Sequence, residues 1–214
     1  MIRCMRFLCV LAFLSVLTEM KAQPVSHYFV QMPSSLLPTV TVDARKDLVD
    51  FYKNGMAAVM KSSLGGQVEL KEMSEDYLML QTSENGNIQL KLLQLDDTTR
   101  VLAMVETAAA PLMDSRVRFF TTLWTPVKDL VFPTFTLLDF IDRVKGKALG
   151  LEDRYNQIGL RNFISCKFSK DKPEVVVHSS IKEDIRPEIL KEFAPIICDS
   201  LTLVWNKGHF DLQK

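Results

Sequence analysis

Between Gln67 and Leu123 apolar residues recur at every second position, and the breaks between the alternating runs are only a few residues long. This pairing constrains the fold more than any other feature. A period of two marks strands whose successive side chains face opposite ways. Parallel neighbours need a crossover of a dozen or more residues, so short breaks impose an antiparallel meander. Five strands are predicted: Gln67–Met73, Tyr77–Thr82, Ile88–Leu95, Arg100–Thr107 and Val117–Leu123. Glu84-Asn85-Gly86-Asn87 is the strongest turn signal, because Asn-Gly tolerates the positive φ angles of a type I′ turn. Asp96-Asp97-Thr98 is the next hairpin tip. Ile88, Leu90 and Leu92 alternate with Gln89 and Lys91, the pattern of a sheet with one wet face.

Upstream of this region the period is 3.6. Leu48, Phe51, Tyr52, Met56, Val59 and Met60 fall on one helical face, which predicts a helix over 43–63. Asp43 is its expected N-cap and Gly65-Gly66 its expected stop. Gly55 then lies inside the helix at a cost of up to ~1 kcal/mol. Downstream, Pro126 and Pro133 interrupt the stretch from Trp124 to Tyr155, where Leu137, Leu138, Ile141 and Val144 suggest a short helix. A second hairpin is predicted from Leu160–Ser169 and Glu174–Ile181, turned at Lys170-Asp171-Lys172-Pro173. At the C-terminal end two patterns compete. Leu201, Leu203 and Trp205 alternate like a strand, whereas Leu190, Phe193, Ile197, Leu201 and Val204 fit a helix over a longer span. The longer pattern favours a helix over 187–206, opened by Pro187, ended by Gly208 and broken or kinked at Pro195. The expected class is α+β: an antiparallel meander sheet packed against an N-terminal and a C-terminal helix. Two pseudo-equivalent halves, 23–125 and 126–214, are an open alternative within it.

The first residues carry the parts of an export signal. Arg3 and Arg6 precede an apolar run from Phe7 to Leu17 broken only by Ser15, and Ala22 offers a small side chain before a cut. The run is shorter than the roughly 20 residues a membrane span needs. Residues 1–22 are therefore expected to be a cleaved signal peptide. Gln23 becomes the first mature residue, and 23–214 a single α+β domain in the periplasm, in the cell envelope or secreted. A lipid anchor requires a cysteine just after the apolar run, and Cys4 and Cys9 lie before or inside it. Lys and Arg total 26 and Asp and Glu total 26. With no clustered basic surface, nucleic-acid binding is set aside. No second apolar run is long enough to put a transmembrane segment in the mature chain.

No catalytic, cofactor-binding or metal-binding residue is nominated. His27, His178 and His209 are scattered, without H-E-x-x-H or helix-face spacing. There is no G-x-S-x-G, P-loop or dinucleotide fingerprint. Cys166 and His178 form a formal thiol–imidazole candidate, but Cys166 shares a strand face with Ile164 and Phe168, where an inert buried thiol is expected. Asp96-Asp97 and Glu75-Asp76 are read as hairpin tips rather than acid–base or calcium sites, and Trp124 and Trp205 as core aromatics. Cys166 and Cys198, the two mature cysteines, are either a disulfide permitted by the oxidising compartment or two separate buried thiols.

Several segments together resemble a known family. They are Met32-Pro33-Ser34-Ser35-Leu36-Leu37-Pro38, Asp47-Leu48-Val49-Asp50-Phe51-Tyr52, Asp76-Tyr77-Leu78 and Leu90-Lys91-Leu92-Leu93. Further on come Asp114-Ser115-Arg116, Phe120-Thr121-Thr122 with Trp124, and Val204-Trp205-Asn206-Lys207-Gly208-His209-Phe210. The whole is similar to DUF3256, an exported Bacteroidetes-type family of unknown function. The resemblance implies a bacterial envelope protein and assigns no catalytic residue. The leading functional expectation is a non-enzymatic domain that binds another protein or an envelope polymer. A structural or assembly role and a hydrolase with an unrecognised site are the alternatives.

Overall fold

The computed structural model describes residues 23–109, 111–158 and 163–213. The signal-peptide reading of 1–22, with Ala22, lies outside them. Among the described residues the strands form two antiparallel sheets. β1 (Val59–Lys61), β2 (Gln67–Met73), β3 (Tyr77–Ser83), β4 (Gly86–Gln94), β5 (Arg100–Ala109) and β6 (Met113–Thr121) make a six-stranded meander. β7 (Ile164–Phe168), β8 (Glu174–Ser179), β9 (Ser200–Asn206) and β10 (His209–Leu212) make a four-stranded one. Helices α1 (Val25–Gln31) and α2 (Val42–Lys53) bring Val25, Phe29 and Leu48 into one apolar cluster with Leu78, Leu90 and Met104 of the larger sheet. On its other face Tyr77, Val105 and Phe119 share a second cluster with Phe168, Val177 and Trp205 of the smaller sheet. Around that second core lie α3 (Arg143–Ala148), α4 (Ile181–Asp184) and α5 (Pro187–Phe193). The class is α+β, with antiparallel meander sheets and helices from both ends of the chain, as the sequence pattern implies.

The larger sheet has no wet face at its centre, which corrects the reading of β4. Gln89 is 2% exposed and Lys91 0%, because the smaller sheet covers the side they occupy. Both find polar partners there. Gln89 Oε1 accepts from the Phe168 amide at 2.9 Å and Gln89 Nε2 donates to the Cys166 carbonyl at 3.0 Å. Lys91 Nζ donates to the Lys170 carbonyl at 3.0 Å and meets Asp76 Oδ2 at 2.9 Å. A buried polar group is tolerated only when its hydrogen bonds are made, and here they join the two sheets.

Several boundaries differ from the sequence reading, each for a local reason. Helix α2 begins one residue before Asp43, on Thr41, whose side chain accepts from the Ala44 amide at 3.2 Å. It ends at Lys53, with Asn54 as its C-cap, rather than continuing to Ser63. Gly55 has φ +68°, the Gly55 amide bonds to the Tyr52 carbonyl at 3.1 Å, and the Met56 amide reaches the Phe51 carbonyl at 2.9 Å. That is a Schellman stop, which frees the chain to enter β1. A Cβ at Gly55 meets nothing within 4 Å, so Gly55→Ala isolates the backbone strain. It should cost about 1 kcal/mol, a drop of a few degrees in the thermal midpoint measured by circular dichroism.

The C-terminal helix is real but short. It ends at Phe193, a 3-10 turn takes Ala194–Ile196, and Ser200–Asn206 is strand β9. Pro195 breaks the helix, so the two-residue alternation of Leu201, Leu203 and Trp205 prevails over the helical pattern. Gly208 closes no helix: Lys207 (φ 40°) and Gly208 (φ 115°) form the two-residue loop between β9 and β10, whose positive φ angles suit a hairpin. At the β3–β4 hairpin Ser83 pairs with Gly86, so the loop is Glu84-Asn85, one residue earlier than expected. The ladder slips between Gln81 and Ser83, and a Cβ at Gly86 would lie 3.0 Å from Ser83 Oγ. Crowding, not positive φ, is what glycine answers there.

Candidate functional site

The residues singled out by sequence do not converge. Cys166 faces the core opposite Val177, whereas His178 is exposed opposite Ser165, on the other face of the same hairpin. A thiol–imidazole pair is therefore not assembled. Burial, aided by the Asp114 charge, pushes the Cys166 thiol up to about 12. Asp96 belongs to a hairpin tip. Its Oδ1 accepts from the amides of Thr98 and Thr99, each at 2.8 Å, and from Thr98 Oγ1 at 2.9 Å, which holds the carboxyl down at about 2. Trp124 and Trp205 are core residues, their indole N–H groups bonded to the carbonyls of Tyr28 and Gln94. Among the described residues no three His, Cys, Asp or Glu side chains are grouped to hold a metal.

Cys166 and Cys198 stand as free thiols, the first buried and the second exposed just before β9. Cys166 is opposite Val177, which is opposite Leu201, so two strand spacings, roughly 9.5 Å, separate Cys166 from β9. A disulfide needs Cα atoms within about 7 Å. Of these two thiols, a maleimide reagent at pH 8 should label Cys198 alone in the native protein and both after denaturation without reductant. No labelling in the denatured, unreduced protein would mean the two are bonded.

Two hollows flank β6. One, of about 240 Å³, is lined by Met113, Ser165, His178, Ser180 and Glu183 among others. No hydrogen bond links Ser165, His178 and Glu183 among the described residues, so they form no proton relay. The second, of about 410 Å³, is lined by Arg116, Arg118, Phe120, Pro126, Lys128 and Leu130 among others. Between them runs the outer edge of β6.

That edge differs from the other three. β1 has three residues and β10 four, short edges that offer little to pair with. β7 turns its outward amides onto the larger sheet, where Gln89 takes Phe168 and Ser115 Oγ accepts from Cys166 at 2.9 Å. β6 has nine residues, and among the described residues β5 is the one strand beside it. Near its end the Thr121 amide bonds to the Thr125 carbonyl at 2.8 Å and the Phe119 carbonyl accepts from Val127 at 2.9 Å. Alternate strand residues direct their backbone groups to the same side, so Ser115 and Val117 present theirs outward too. Among the described residues the backbone of Ser115 and Val117 finds no partner there. Arg116 and Arg118 lie on one face of this edge. Arg118 pairs with Glu106 at 2.7 Å, while exposed Arg116 and nearby Lys128 have no ion-pair partner among the described residues. An open polar backbone beside unpaired cations can take up an extended, anionic chain. Sequence reasoning missed it because strandedness alone does not reveal which strand is left at an edge.

The family model described as "Protein of unknown function (DUF3256)" matches residues 17–210. The chain belongs to this family. No curated protein gives a significant match. A solved structure described as "Structure of a domain of an uncharacterized protein from Porphyromonas gingivalis W83" is 26% identical, with a TM-score of 0.75. The match covers 90% of this chain and 100% of that one. The DUF3256 assignment thus accompanies a shared fold and names no activity. Among the described residues no helix is long and apolar enough to cross a membrane.

Proposed function

We propose that this DUF3256 protein is an exported, non-enzymatic binding domain of the cell envelope, in the periplasm or beyond it, working through the outer edge of β6. The observation that carries the binding reading is the contrast among the four sheet edges. Three are short or covered, whereas among the described residues the longest is open, with cations beside it that have no ion-pair partner there. Natural sheets blunt their edges against unwanted pairing, so a long open edge between two hollows is best explained by use.

The export reading rests on the basic start, the apolar run and Ala22. The packing after them is compatible with a cut at that point. Val25 is fully buried and its amide bonds to the Glu75 carbonyl at 2.8 Å, while Arg100 Nη2 bonds to the Gln23 carbonyl at 3.0 Å. A cut before Gln23 leaves these contacts intact. Mass spectrometry of the protein from the envelope fraction should find Gln23 as first residue, and cross-linking in intact cells should join it to an envelope component. A species retaining Phe7–Leu17 would contradict export by cleavage. A monomer that cross-links to nothing would contradict the binding reading.

A further inference from the structure

We infer that the partner of the β6 edge is an extended acidic polypeptide segment, added as a seventh strand to the six-stranded sheet. The inference rests on the binding-domain reading and deepens it by naming the chemistry of the partner. Strand addition draws its affinity from main-chain hydrogen bonds and its specificity from alternate side chains. Both components are present at β6. The outward amides and carbonyls of Ser115 and Val117 supply the first.

The protein already uses the neighbouring part of this edge in that way. Phe120 is bridged in antiparallel fashion to Pro126, with the bonds of Thr121 and Phe119 on either side. This short internal pairing stops at Phe119, and the rest of β6 continues beyond it. An incoming strand along 113–118 would extend the same antiparallel row.

The side chains set the preference. On one face of the edge stand Asp114, Arg116 and Arg118, with Lys128 lining the same hollow as the two arginines, so cations outnumber carboxylates along it. Arg118 keeps its Glu106 partner, which leaves Arg116 and Lys128 for an incoming carboxylate. On the opposite face Val117 packs against the apolar cluster shared with the smaller sheet. A strand with carboxylates on one side and apolar groups on the other matches both faces at once, because alternate residues of a strand point opposite ways. A basic segment would set like charges against Arg116 and Lys128.

The test uses the mature protein and a short capped peptide alternating valine and glutamate, with a valine–lysine peptide as control. Amide hydrogen exchange is followed residue by residue. The glutamate peptide should slow exchange at Ser115 and Val117, and its affinity should fall as salt is raised. The lysine peptide should bind at least about tenfold more weakly. Arg116→Glu should weaken the glutamate peptide by about tenfold and leave the fold unchanged, since Arg116 is exposed. Val117→Pro should abolish binding, because it removes an outward amide that makes no ladder bond to β5. Unchanged exchange at Ser115 and Val117 under excess peptide, or equal binding of both peptides, would overturn the inference while leaving the envelope cross-linking result to decide the binding reading. Protection of these amides in the free protein at high concentration would instead identify a second copy of the chain as occupant, and would overturn the acidic-segment assignment.

Discussion

Replacing Gln89 by leucine should lower the stability of the folded protein by about 2–6 kcal/mol. The side chain is buried in the middle of β4 and its amide spans two backbone groups of β7, the Phe168 N–H and the Cys166 carbonyl. It serves β7 as a neighbouring strand would. A leucine fits the apolar surroundings but leaves one buried donor and one buried acceptor without partners, each costing about 1–3 kcal/mol. For a chain of this size each kcal/mol lowers the thermal midpoint by about 2–4 °C. Denaturant unfolding measures the loss, and Gln67→Leu at an exposed position of β2 is the control, expected within about 0.5 kcal/mol of the parent. Equal stability of the two variants would mean that the Gln89 bonds do not join the sheets.

Truncating Phe29 to alanine should cost about 3–5 kcal/mol, the range for removing a fully buried ring. Phe29 is 0% exposed on α1, in the cluster that includes Leu48, Leu78, Leu80 and Leu90. The helix has only seven residues, too few to persist on propensity alone, so packing must hold it. Arg45 of α2 adds to that hold. Its buried guanidinium donates to the carbonyls of Phe29 and Met32 at the C-terminal end of α1, where a cation also meets the negative end of the helix. Desolvation pushes the Arg45 pKa down. Equilibrium unfolding of Phe29→Ala, with far-ultraviolet circular dichroism to confirm a folded start, checks the effect. A loss below about 1 kcal/mol would show that α1 is not part of the cooperative core.

Much of the sheet was legible in the sequence. Gln67–Met73 is β2 as read, and four more strands fall within a few residues of their predicted positions, because alternation records a buried face directly. The second sheet was half legible. The β7–β8 hairpin announces itself through Lys170–Pro173, but β9 was hidden by helical spacing that continues past Pro195. Val25 and Phe29 of helix α1 and Met32 at its C-cap recur at spacings of four and three, a signal present but unread because the helix is so short. The wet-face reading of β4 failed for a more general reason. Gln89 and Lys91 are polar, and polarity in an alternating strand normally means solvent; only the tertiary partners Cys166, Phe168, Lys170 and Asp76 make them interior residues. The candidate site was illegible for the same reason. Openness of an edge depends on which strands the chain brings beside it, and no single segment carries that information.

Two sheet edges contrast: β7 is closed by side chains of the larger sheet, whereas the outer edge of β6 is open among the described residues. Native-state amide hydrogen exchange resolves both in one experiment. The Phe168 amide, bonded to Gln89 Oε1 at 2.9 Å, should be protected nearly as well as the amides of the central strands β4 and β5. The Val117 amide, facing outward from β6, should exchange orders of magnitude faster, through local rather than global opening. Slow exchange at Val117 in the free monomer, or exchange at Phe168 as fast as at Val117, would contradict the account.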